Sequence, residues 1–133
     1  MIETSKGPAR FLEYPAKRAR VTLVLGHGAG GGGIAPDLAA IAEHLPGHGV
    51  SVLLHEQPWK VAGKKVAAAP PVLDVAWIES LATLTPRGRL IVGGRSAGAR
   101  VACRTATEVG ASAVLALAFP LHPPGKPEKS RVD

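Results

Sequence analysis

Apolar residues fall in short blocks along the chain, separated by glycine, proline and charge, and the blocks alternate between two periodicities. Residues 21–25, Val-Thr-Leu-Val-Leu, form a β-branched and aliphatic run that stops at Gly26-His27-Gly28-Ala29-Gly30-Gly31-Gly32-Gly33. This predicts a buried strand running into a loop. Pro36 and Asp37 suit a helix N-terminus, and Leu38, Ile41, Ala42 and Leu45 recur at helical spacing, so a helix is expected over 36–45. Val-Ser-Val-Leu-Leu at 50–54 predicts a second strand, followed by a basic loop over 57–71 that holds Pro58, Gly63, Pro70 and Pro71. A loop of that length is expected to have a function. Leu73, Ala76, Trp77, Leu81 and Leu84 mark a second helix that ends before Pro86, with Trp77 read as core. Leu90-Ile91-Val92 predicts a third strand, leading directly into Gly93-Gly94-Arg95-Ser96-Ala97-Gly98 and a helix carrying Val101, Ala102, Thr105 and Ala106. A fourth strand, 113–119, is continuously apolar and ends at Pro120.

Strands that are apolar throughout must be covered on both faces, and here strand alternates with helix. The expected fold class is α/β: a doubly wound, mostly parallel sheet with helices on both faces, in one domain over 1–133. Residues 1–20 are expected as an N-terminal edge segment adding one or two edge strands, with Pro8 and Pro15 weighing against regular strand there. Residues 123–133 form a proline-rich polar tail, and there is no internal repeat.

Composition agrees with this picture. In 133 residues, 46% hydrophobic against 20% charged is enough to bury one core, and 16 Gly and 12 Pro with only 4% aromatics imply an aliphatic interior interrupted by tight turns. The net charge of +6 comes from scattered lysines and arginines without aromatic interleaving or a nucleic-acid motif, so no nucleic-acid partner is expected. Cys103 is the single cysteine, which excludes an internal disulfide and a cysteine zinc cluster and fits a reducing, cytoplasmic setting. No apolar run approaches the length of a membrane span, so no membrane association is expected. Histidines 27, 44, 48, 55 and 122 form no convincing ligand set, and neither a metal nor a cofactor is expected.

The chemistry concentrates in two loops. Gly94-Arg95-Ser96-Ala97-Gly98 is a G-x-S-x-G placed between strand and helix, where a sharp turn would hold the Ser96 hydroxyl above the sheet edge at a helix N-terminus. The plainer alternative is that Gly93 and Gly94 let a helix approach a strand and Ser96 caps that helix. A serine nucleophile also needs donors for an oxyanion: the backbone N–H of Ala97, and by position that of Ala29 in the earlier glycine loop. His27 is expected to hold that loop's shape and not to transfer protons. A rival use of the same loop is dinucleotide binding, since Gly26 to Gly31 satisfies G-x-G-x-x-G and Glu56 follows the next strand where a ribose-binding acid would sit. That alternative leaves the serine turn unexplained.

Taken together, Leu25-Gly26-His27-Gly28-Ala29-Gly30, Glu56-Gln57-Pro58-Trp59, Gly93 to Ala102 and Phe119 to Pro127 resemble the α/β-hydrolase superfamily. More narrowly, they are similar to small bacterial hydrolases related to dienelactone hydrolases that group with the testis-expressed hydrolase-like proteins. The resemblance implies Ser96 as nucleophile, Ala29 and Ala97 as oxyanion donors, and a small-molecule ester-like or related acyl substrate. Trp59, Lys60, Lys64 and Lys65 are expected at the pocket rim. In this superfamily an acid and then a histidine follow the nucleophile on later loops. After Ser96 the chain has His122 as its only histidine, expected near the pocket mouth, and Glu108, Glu128 and Asp133 as its acids. A helix rising about 1.5 Å per residue would carry Glu108 roughly 18 Å from Ser96, too far to complete a triad. The resemblance implies two further strands bearing the acid and base, so the chain is expected to be a C-terminally shortened hydrolase with little turnover of its own. Its last strand would then leave an apolar edge open to self-association. A non-catalytic relic or interaction module of the same fold is the other expectation.

Overall fold

The computed structural model describes residues 1–30, 33–122 and 125–126. The expected tail over 123–133 falls almost wholly outside the described residues. Strands β1 (Ile2–Thr4), β2 (Gly7–Tyr14), β3 (Val21–Gly26), β4 (Val50–Glu56), β5 (Arg89–Arg95) and β6 (Ala113–Leu117) form one sheet in the order β1-β2-β4-β3-β5-β6. β3, β4, β5 and β6 run parallel, and β2 joins β4 antiparallel. Helices α1 (Pro36–His44), α2 (Pro58–Val61), α3 (Pro70–Leu81) and α4 (Ala97–Thr105) connect them. This is the doubly wound α/β architecture expected from the alternation of apolar blocks.

The uninterrupted apolar strands are explained by two cores. Successive side chains of β3 point to opposite faces. Val24 joins Leu53 and Val92 against Trp77, Leu73 and Val101 of α3 and α4, while Leu23 and Leu25 join Val52 and Leu54 against Leu38 and Ala42 of α1. Each such side chain removed from water contributes ~1.5–3 kcal/mol, and both faces of the central strands are used.

The N-terminal edge segment is a hairpin, β1 with β2, and Pro8 sits in β2 opposite Glu3, ahead of the point where pairing with β4 begins at Arg10. Its missing N–H therefore costs no bond to β4. Several boundaries differ from expectation, each for a local reason. α1 ends at His44, and a 3-10 turn over Leu45–His48 follows, closed by Gly49 at φ 82°. The second helix begins at Pro70, not Leu73, because two prolines are tolerated in a first helical turn whose N–H groups have no partner within the helix. It stops at Leu81, and Leu84 packs from the following turn. β4 extends to Glu56 through pairing with β2. β6 ends at Leu117, not Phe119, because Ala118 takes φ 48°. The 57–71 segment is not wholly loop, since it contains the short helix α2.

Candidate active site

The end of β5 is where the sequence pattern becomes a geometry. Ser96 stands between β5 and α4 at φ 55° and ψ −113°. A residue with a side chain rarely adopts such a conformation, which costs of order 1–3 kcal/mol unless its surroundings enforce it. Here they do. The Ser96 N–H donates to the Leu117 carbonyl at 2.9 Å, and its carbonyl accepts from Arg100 N–H at 3.2 Å, so β6 holds one side of the turn and α4 the other. The side chain makes no capping hydrogen bond to α4, which removes the helix-cap role.

The two flanking glycines are obligatory because backbone passes where their side chains would be. A Cβ at Gly94 would lie 2.6 Å from the Gly26 carbonyl oxygen and 2.7 Å from the Gly98 carbonyl carbon; one at Gly98 would lie 2.4 Å from the Gly26 oxygen. The end of β3 thus passes directly against the serine turn. The glycine loop continues over it: a Cβ at Gly28 would meet the Arg95 carbonyl oxygen at 3.4 Å and Ser96 Cβ at 3.5 Å. Ala29, the next residue, is exposed in that loop. Ala97 opens α4, where the first N–H groups have no partner within the helix and the helix dipole favours negative charge.

Two contacts tie this loop down. The Nδ1 atom of His27 lies 2.7 Å from the Gly28 carbonyl, and its Nε2 accepts from the Gln57 N–H at 3.0 Å. Both ring nitrogens are therefore committed, with the proton on Nδ1, and His27 joins the glycine loop to the end of β4. Burial holds its pKa below the ordinary value despite the Gly28 carbonyl. Trp59 packs edge-on against the ring at 5.4 Å and donates its indole N–H to Gln57 Oε1 at 3.1 Å. Trp59 is buried, not at a rim. At the other end of the loop, Arg95 Nε lies 3.2 Å from Asp37 Oδ2 in the first turn of α1. The sequence marked Asp37 only as a helix-start acid, and nothing in its spacing pointed to Arg95.

His55 was one histidine among five in the sequence; in the structure it is a buried polar pair beneath the site. Its Nε2 lies 2.9 Å from Ser80 Oγ of α3, its ring lies between Phe11 and Trp77, and burial pushes its pKa down to about 3. Its Nδ1 has no hydrogen-bond partner among the described residues.

The remaining candidates are spread more widely. His122 lies exposed in the bend after β6, at the sheet end that carries Ser96. Glu108 is exposed in the turn beyond Thr105, at the far end of α4, and Glu128 and Asp133 fall outside the described residues. Lys60 is close enough to His27 to depress its pKa, whereas Lys64 and Lys65 are exposed. Glu56 is bound to Arg10 at 2.7 Å across the β2–β4 pair. α1 begins at Pro36, well past Gly28 and Gly30, whereas the glycines of a dinucleotide loop lead directly into the helix.

The alpha/beta hydrolase domain family matches residues 19–133. The chain belongs to that family. No curated protein matches it. Among solved structures, this hydrolase-fold chain is similar to an α/β serine hydrolase without a lid from Xanthomonas campestris, with TM-score 0.71 and 19% identity over 90% of this chain and 60% of that one. It is also similar to esterase 2 of Thermogutta terrifontis, phosphoramylated by tabun, with TM-score 0.63 and 13% identity over 92% of this chain and 57% of that one. At these identities the likeness is one of fold, and the chain spans about 60% of the length of either structure. Among the described residues, no helix is long and apolar enough to cross a membrane.

Proposed function

We propose that the chain carries the nucleophile and oxyanion donors of a serine hydrolase acting on ester-like or related acyl substrates, within the branch of small bacterial hydrolases related to dienelactone hydrolases. The backbone of Ser96 carries the proposal: a serine at φ 55°, between two glycines whose Cβ positions are already filled by main chain. A strained serine turn of this kind is the form that exposes a nucleophilic hydroxyl at a helix N-terminus, and the Ala97 N–H and the Ala29 N–H are its proposed oxyanion donors. Attack by Ser96 Oγ on a substrate carbonyl forms the Oγ–C bond, and the carbonyl oxygen takes negative charge that the Ala97 and Ala29 N–H groups stabilise. Collapse expels the alcohol and leaves an acyl-serine, which water then hydrolyses.

The hydroxyl proton must go to a base, and His122 is the candidate, since it follows β6 beside the serine turn. Glu108 does not orient it, because that carboxylate lies beyond the far end of α4. A serine nucleophile draws its reactivity from a base held by an acid, and with Glu108 this far from Ser96 slow acylation and little turnover are expected. Among the described residues β6 pairs with β5 alone, which supports self-association through its edge. With p-nitrophenyl acetate, the expected result is slow release of about one equivalent of p-nitrophenol that Ser96→Ala abolishes. Release independent of Ser96 would overturn the proposal, and rapid multiple turnover would overturn the expectation of low activity.

A further inference from the structure

Two lysines from separate segments converge on one cavity away from Ser96. About 310 Å³ is enclosed between the β1–β2 turn, α2 and the start of α3, with Pro8, Pro58, Ala68, Val72, Leu73 and Trp59 among its walls and Lys6 and Lys64 also lining it. Trp59 and Lys64 belong to one closed turn, because the Lys64 N–H donates to the Trp59 carbonyl at 3.0 Å. The indole N–H is already given to Gln57, so Trp59 offers this cavity apolar surface. Both lysines are exposed at its mouth. Glu79, which lies close enough to Lys6 to feel its charge, is engaged by the Ser5 N–H at 2.8 Å and the Ser5 hydroxyl at 3.0 Å. The start of α3 adds no anion-binding donors here. Pro70 and Pro71 lack N–H groups, and the Val72 and Leu73 N–H groups donate to the Ala69 carbonyl.

An apolar enclosure with two ammonium groups at its mouth suits a small ligand with an apolar body and one negative end. At ~30 Å³ per water, the space equals about ten waters, room for one aromatic ring on a short carboxylate-bearing chain. We propose that this cavity binds small arylalkyl or aliphatic carboxylates, with the apolar body against Trp59 and Leu73 and the carboxylate between Lys6 and Lys64. It gives the basic 57–71 segment a role separate from acyl transfer, and it does not depend on Ser96 being a nucleophile.

The test is titration of the full chain with 3-phenylpropanoate, following the Trp59 indole N–H resonance, which Trp59→Phe identifies against that of Trp77. A saturable shift with a dissociation constant of about 1 mM is expected. Lys6→Glu and Lys64→Glu should each weaken binding about fivefold, as should replacing the ligand by its neutral amide, and Lys17→Glu at the opposite end of the sheet should leave it unchanged. Absence of a saturable shift up to about 20 mM, equal binding of the amide, or equal weakening by Lys17→Glu would overturn the proposal.

Discussion

Replacing Gly98 by alanine tests whether the serine turn is shaped by the strand beneath it. The new methyl carbon would sit 2.4 Å from the Gly26 carbonyl oxygen, 2.5 Å from its carbon and 2.8 Å from the His27 oxygen, all backbone. These are roughly 1 Å inside ordinary contact. Gly26 cannot simply yield, because it closes β3 in register with His55 on one side and Gly94 on the other. Overpacking of this kind costs about 1–3 kcal/mol. Alanine recovers up to about 1 kcal/mol of helix propensity, less in a first turn than in a helix interior. The net loss is about 1–2 kcal/mol, or a fall of roughly 5–10 °C in Tm for a domain of this size. Because the displaced segment continues into the glycine loop, a shift near 1 Å should also slow acylation of Ser96 by about 10–100-fold. Differential scanning calorimetry and the p-nitrophenyl acetate release rate read the two effects. Gly30→Ala is the control: a Cβ there meets nothing within 4 Å, and its Tm should stay within about 1 °C of the parent. An unchanged Tm and release rate in Gly98→Ala would refute the packing argument.

Other consequences are independent of that turn. His55 is held neutral with a pKa near 3 when folded, against about 6.5 when unfolded. Between those values the unfolded chain binds the extra proton, so this contribution is intact above pH 6.5 and stability falls by about 1.4 kcal/mol per pH unit as acid is added towards pH 3. Urea titrations across pH 4–7 should show that slope, and His55→Phe should flatten it. His27→Ala removes the acceptor for the Gln57 N–H and the bond to Gly28, so a loss of about 1–2 kcal/mol in urea unfolding is expected, with about tenfold slower acylation. Val114 is 37% exposed on β6, and sedimentation analysis should show Val114→Lys reducing any self-association through that edge, as an edge lysine discourages strand pairing.

The parallel sheet was legible because a strand buried on both faces must be apolar at every position, and residues 21–25, 50–54 and 90–92 are nearly so. The serine turn was legible for a related reason: glycine two before and two after a serine, between strand and helix, is a spacing that close backbone approach requires. What escaped detection was contact between distant segments. The extension of β4 to Glu56 depends on β2, and Arg10 opposite Glu56 is not a local signal. Likewise, the Asp37–Arg95 pair and the His55–Ser80 pair join residues brought together only by the crossover helices. Trp59 lies in the loop after a strand's carboxyl end, the side where open sheets bind ligands, which suggests a rim residue, but its indole is drawn inward by Gln57 and His27. Pro70 and Pro71 looked like a loop's end and are instead a helix's beginning.

The most direct measurement is mass-spectrometric mapping of the adduct formed with a fluorophosphonate. The account predicts one adduct, on Ser96, formed slowly, absent in Ser96→Ala and reduced in Gly98→Ala. An adduct spread over other serines, or none at Ser96 after prolonged exposure, would contradict it.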